Sequence, residues 1–258
     1  MPHDDYKEFG FDDSEVFQNS LGSLDVYADI VYCIDITSSM KPVIDKVKET
    51  ALTLHEDLQS VMQTNYQRTI KQLRIKIIGF RDAYCDGRKS FEISPFFTLP
   101  YENDEFKKFV DKLAAKGGGD IPENSLEALA LAMKSDWCRT LDSSIRKRHI
   151  IVLFTDAPYH PLEKSLDGKD DNYPAGMPAN YSELIDWWSD QSSLASGTGC
   201  EMDQVAKRIA FFVPKVITQW KDASNDFDSS ICIDIEPDNG GSDISTEKLL
   251  KLLGETMV

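Results

Sequence analysis

The chain has 258 residues, 41% of them hydrophobic and 28% charged, which is material for one large globular domain. A formal net charge of −16 repels phosphate backbones and argues against general nucleic-acid binding. No apolar run has the length of a membrane span, Met1 to Phe17 lacks the basic and apolar segments of a signal peptide, and the cysteines are widely spaced with no C-x-x-C pair. A zinc cluster or disulfide framework is therefore not expected, and the chain reads as cytoplasmic.

Residues 1–24 form an acidic arm, and 25–258 read as a single domain. Tyr27 to Ile34 is a short apolar run with β-branched residues, ended by Asp35, and reads as a buried parallel strand. Pro42 opens a helix to about Met62 with a stripe of Val43, Val47, Leu52, Leu54, Leu58 and Val61. Leu73 to Phe80 is a second strand. Phe91 to Leu99 is a third and shorter one, joined through Asp86-Gly87 and so antiparallel. Asn103 or Asp104 can cap a helix through Leu113, Gly117 to Gly119 break the chain, and Asp120 starts a helix through Met133.

His149 to Thr155 is the clearest strand, ended by Asp156. Residues 157–202 read as an insertion or lid with a helical patch near Ser182 to Trp188; the pair Trp187-Trp188 suits internal packing better than a partner contact. Asp203 to Trp220 is amphipathic but contains Pro214, which fits a kinked helix or a helix followed by a strand. Ser230 to Ile235 is a strand and Ser245 to Met257 a terminal helix. Strands alternating with helices imply an α/β fold with a mostly parallel sheet, one short antiparallel edge strand and helices on both faces.

Oxygen-bearing side chains gather where strands or glycines hand over to helices. Asp35-Ile36-Thr37-Ser38-Ser39 has the pattern D-x-T-x-S directly after a buried strand, so one carboxylate and two hydroxyls converge. Gly117-Gly118-Gly119-Asp120-Ile121-Pro122-Glu123 places two more carboxylates after a run that can adopt positive φ. Asp156 closes another strand. Hard cations such as Mg²⁺ take such oxygen ligands, and α/β sheets bind ligands outside the carboxyl ends of their strands. Asp82, at the end of the second strand, and His160, shortly after Asp156, are candidates for the rim.

These three segments, in this order, resemble the von Willebrand factor type A domain. D-x-T-x-S at Asp35, Thr37 and Ser39 is similar to its metal-ion-dependent adhesion site, whose usual form is D-x-S-x-S, and Asp156 matches its carboxylate after the fourth strand. The middle loop departs from the commoner threonine pattern and resembles the D-x-P-E segment of integrin β-subunit domains. That resemblance makes Glu123 the metal ligand and Asp120 a supporting group or a ligand of an adjacent site. Gly79-Phe80-Arg81-Asp82 is similar to a segment of stand-alone intracellular members. The resemblance implies a Rossmann-like doubly wound fold, a bound Mg²⁺ or Mn²⁺, no turnover, and a protein partner whose Asp or Glu completes the metal's shell.

Other roles compete for the same residues. Asp35, Thr37 and Ser39 also suit helix capping, and Asp120-x-x-Glu123 matches a capping box. Asp35-x-Thr37 after a strand is also similar to the phosphorylated aspartate of haloacid-dehalogenase-type phosphohydrolases, with Asp156 as the later Mg²⁺ ligand. Against that reading, the second strand ends Gly-Phe-Arg-Asp without a Ser or Thr for phosphate.

Overall fold

The computed structural model describes residues 25–86, 90–118, 121–140, 142, 145–162, 173–189, 199–236, 241–242 and 244–258. The acidic arm and Asp120 lie outside them. The strands are β1 (Asp25–Asp35), β2 (Ile70–Phe80), β3 (Phe91–Ile93), β4 (Phe97–Leu99), β5 (Ile145–Phe154), β6 (Lys207–Val213) and β7 (Ser230–Asp234). They form one seven-stranded sheet in the order β3-β2-β1-β5-β6-β7, with β4 also paired to β2. All neighbours among β2, β1, β5, β6 and β7 are parallel, while β3 and β4 run antiparallel to β2.

The helices are α1 (Lys41–Thr50), α2 (Leu54–Tyr66), a single turn α3 (Ala83–Asp86), α4 (Asn103–Lys112), α5 (Ser125–Met133), α6 (Tyr181–Ser189), α7 (Thr218–Asp226) and α8 (Thr246–Met257). Alternate residues of β1 separate two cores. Val26, Ala28, Ile30, Tyr32 and Ile34 pack under α1, α2, α4 and α8. Val31 and Cys33 pack under α5, α6 and α7. Burial on both faces is why these strands read as continuous apolar runs and not as alternating ones.

Several expectations are corrected in detail. The helix from Pro42 is two helices, because a turn over 51–53 interrupts it and leaves Leu52 44% exposed, outside the apolar stripe. The edge strand comes in two pieces. Pro95 has no N–H, and Ser94 fills the gap: its N–H donates to Ile77 O and its Oγ accepts from Ile77 N. α4 is preceded by Glu102, and Asn103 donates to Leu52 O without capping it. The amphipathic stretch after Asp203 is a strand followed by a helix, neither of the two arrangements expected. Ile209 to Val213 are fully buried between β5 and β7, and Pro214 ends the strand. Trp187 and Trp188 are buried packing residues.

At the far end from the chemistry, Asp29 is fully buried and accepts from Arg74 Nε at 2.8 Å and from Cys138 N at 2.6 Å. It ties β1 to β2 and to the segment leading into β5. Removing one partner of a buried pair leaves the other charge uncompensated. Asp29→Ala is expected to lower unfolding free energy by about 3 kcal/mol, read from the urea midpoint at unchanged m-value.

Candidate metal centre

β1 and β5 are neighbours, and the chain leaves them toward opposite faces: β1 leads into α1, and β5 into the segment carrying α6. Such a switch point opens a crevice at the carboxyl ends of the strands. A cleft of about 200 Å³ lies there, lined by Thr37, Ser38, Ser39, Glu123 and Asp156 together with Gly117 and Gly118.

Asp35 forms the floor and is 0% exposed. Its Oδ1 accepts from Thr37 N at 2.9 Å and Thr37 Oγ1 at 2.6 Å, and its Oδ2 accepts from Thr155 Oγ1 at 2.8 Å. Thr37 Oγ1 lies 3.3 Å from Ser39 Oγ, and Ser39 Oγ donates to Asp156 Oδ1 at 3.0 Å. Residues 117 positions apart in sequence thus share one hydrogen bond. Neither Thr37 nor Met40, the residues preceding the turn Ser38–Met40 and α1, caps a helix through its side chain, so capping is not what these hydroxyls do.

Glu123 is only 2% exposed. It does not open a helix: α5 starts two residues later and has no side-chain cap. Instead its backbone pairs with the segment after Asp156, Glu123 N donating to Pro158 O at 3.0 Å and His160 N donating to Glu123 O at 3.0 Å. This short parallel bridge carries the Glu123 side chain to the cleft, where a capping box would have turned it back on the helix.

Asp82 and His160 are not on the rim. Both are buried behind the cleft, His160 Nε2 lying 3.4 Å from Asp82 Oδ1 and its ring meeting Tyr84 edge-on at 5.1 Å. Asp82 Oδ1 also accepts from Tyr84 N at 2.8 Å. Near them Glu127 is buried and accepts from the Tyr173 hydroxyl at 2.8 Å.

Sequence reasoning passed over two residues that hold the cleft together. Thr155 was visible as a hydroxyl beside Asp156, yet its role in binding Asp35 depends on the β1–β5 register. Arg81 was quoted only within Gly-Phe-Arg-Asp. It is buried, and its Nε donates to Ile36 O at 3.2 Å and Lys116 O at 2.8 Å, its Nη2 to Ala114 O at 2.9 Å. One guanidinium therefore pins the loop after β1 to the glycine loop. Gly117 (φ +81°) and Gly118 (φ +84°) complete the contact: Gly117 O accepts from Ser38 Oγ at 3.1 Å, and a Cβ on Gly118 would crowd Thr37.

The donor set fits a hard divalent cation. Carboxylates of Asp156 and Glu123 and hydroxyls of Thr37 and Ser39 face one open space, with the Asp35 carboxylate bonded beneath them. Among the described residues no three Asp, Glu, His or Cys side chains form a metal cluster by themselves. The phosphohydrolase reading is not favoured. A nucleophilic aspartate needs an exposed oxygen, and both oxygens of Asp35 are buried and engaged.

Burial pushes the Asp35 carboxyl up to about 6, against the hydrogen bonds from Thr37 and Thr155, with the charge of Asp156 adding to the rise. Burial likewise raises Glu127 to about 7, opposed by the Tyr173 hydroxyl. A native carboxyl that holds its proton more tightly than the unfolded chain stabilises most below the unfolded pKa, near 4, and loses that contribution as pH rises through the folded value. In chelator, unfolding free energy is expected to fall between about pH 4 and pH 7. The Asp35 share, on the order of 3 kcal/mol, is read as the part of the slope that disappears in Asp35→Asn.

A family model described as von Willebrand factor A domain matches residues 92–166. The chain is 26% identical over 206 residues to alpha-protein kinase vwkA of Dictyostelium discoideum, covering 78% of this chain and 30% of that protein. It is 27% identical over 155 residues to integrin beta pat-3 of Caenorhabditis elegans, covering 54% of this chain and 18% of that one. The chain thus spans less than a third of either relative. Among solved structures it is similar to the pilus adhesin SpaC from Lactobacillus rhamnosus GG, at 11% identity and TM-score 0.49 over 90% of this chain and 30% of that one. It is also similar to proximal thread matrix protein 1 from the mussel byssus with a zinc-occupied MIDAS motif, at 14% identity and TM-score 0.43 over 90% of this chain and 48% of that one. The D-x-T-x-S turn at the end of a central parallel strand and its bond to the carboxylate after β5 agree with the match over residues 92–166, and in these features the chain is similar to von Willebrand factor A domains.

Proposed function

We propose that the chain is a metal-dependent protein-interaction module, without turnover of its own. Asp35, Thr37, Ser39, Glu123 and Asp156 hold Mg²⁺ or Mn²⁺ in this reading, Ser39 directly and Thr37 through a water, with Asp120 of the adjoining loop in support. The metal supplies an open coordination position, and a partner's Asp or Glu fills it. Residues 25–258 act as one domain in this reading, with 157–202 as a loop insertion in the sequence and 1–24 as an acidic stretch ahead of it.

The observation that carries this reading is the bond from Ser39 to Asp156, which joins the D-x-T-x-S turn to the neighbouring strand end inside an open cleft. Convergent carboxylates repel one another, and a divalent cation removes that repulsion. The chain's own residues do the remaining work. Thr37 and Thr155 fix the Asp35 carboxylate, Arg81 fixes the loops, and the cleft stays accessible to a partner. All the cysteines are free thiols and no described helix is long and apolar enough to cross a membrane. The free thiols support a place in the cytoplasm, where thiols stay reduced.

Isothermal titration with Mg²⁺ or Mn²⁺ is expected to show one saturable site. Asp35→Ala should abolish it, and Glu123→Gln should weaken it about tenfold, as loss of one charged ligand does. Partner proteins recovered from a lysate should be lost on adding chelator. Absence of metal binding, or partner binding indifferent to chelator, contradicts the reading. So does sustained hydrolysis of a generic aryl phosphate.

A further inference from the structure

The opposite end of the sheet carries a charge pattern at odds with the rest of the chain. A cavity of about 350 Å³ opens beside the starts of β5 and β6, lined in part by Arg146, Lys147, Arg148, Asp203 and Arg208. Arg146 and Arg148 are alternate residues of β5, in register with Val26 and Ala28, and Arg208 is in register with Ile150. Alternate residues of a strand, and residues in register on its neighbour, share a face, so these arginines leave the sheet together. Arg68, just before β2, is close enough to act on Arg146 and Arg148.

No side-chain carboxylate among the described residues pairs with these arginines. The carboxylate lining the cavity, Asp203, is taken by Lys147 Nζ at 2.7 Å. Arg68, Arg146, Arg148 and Arg208 make no salt bridge among the described residues. Arg148 is 4% exposed. It donates Nη1 to Lys147 O and Nη2 to Val258 O, while its Nε is buried with no hydrogen-bond partner among the described residues. Burial, then the charges of Arg146, Arg208 and Arg68, lower its pKa to about 10. A buried, unmet guanidinium donor among like charges is costly unless something supplies the missing acceptor.

We infer that this cavity binds a compact multivalent oxyanion of the phosphate class, gripped by Arg146, Arg148 and Arg208. Guanidinium forks match phosphate oxygens in geometry and stay charged, and an oxyanion relieves both the mutual repulsion and the unmet Nε. The chain's net charge of −16 narrows the ligand's size. An extended polyanion meets repulsion as soon as it leaves the cavity, whereas a compact one, screened beyond about 8 Å at physiological salt, feels chiefly the arginines. The cavity lies at the amino end of β1 and the metal cleft at its carboxyl end, roughly 30 Å apart at strand rise. The two sites share no lining residue.

The test is isothermal titration of tripolyphosphate into the full chain, in chelator and about 150 mM NaCl. One saturable site is expected, with affinity about tenfold lower in Arg146→Gln and in Arg208→Gln, as loss of one charge-assisted contact implies. Both arginines are half-buried and repelled by their neighbours, so the variants should keep the wild-type circular dichroism. Lys221→Gln, the same charge change on exposed α7, should bind as wild type does. Absence of saturable binding, or equal affinity in the arginine variants and wild type, overturns the proposal.

Discussion

The carboxylate of Asp35 is the constraint around which the upper end of this domain is built. A fully desolvated carboxylate is tolerated only where donors replace the water it lost. Here the Thr37 amide, the Thr37 hydroxyl and the Thr155 hydroxyl do so. Those bonds fix the turn after β1 and lock it to the end of β5. Once Thr37 is placed, Ser39 follows within bonding distance of Asp156, and the cleft acquires its shape.

The rest of the cleft is held from outside by backbone contacts. Arg81 donates to carbonyls of both the β1 loop and the segment before the glycines. Glu123 is delivered by a short parallel bridge to residues 158–160. Asp82, His160 and Glu127 are buried, with Asp82 and the half-buried Tyr84 both against the His160 ring. Such support holds the oxygen-bearing side chains of the cleft in place in advance, which lowers the ordering cost of any binding there.

The two ends of the sheet are electrostatic opposites. The carboxyl ends gather Asp35, Asp156 and Glu123, and the amino ends gather Arg146, Arg148 and Arg208. The net charge averages over this. A composition of −16 argues against an extended polyanionic partner, yet says nothing about a local basic cavity.

Local chemistry was enough to read the α/β class, the central strands ending at Asp35 and Asp156, the helix capped by Ser245 and the D-x-T-x-S turn, because each rests on periodicity or on residues adjacent in the chain. The order of elements after Asp203 was not legible, since a fully buried strand such as Ile209 to Val213 has no alternation to distinguish it from a helix. Nor were the partners of Thr155, Arg81 and Glu123, whose contacts are to backbone far away in sequence. Asp82 and His160, expected at the rim, are both buried, because proximity to a strand end does not say which way a side chain points. The basic cavity needed the β1–β5–β6 register to assemble arginines that are unremarked one at a time. Sequence alone named the oxygen atoms of the site; only folding, by choosing β1 and β5 as neighbours, decided that they meet.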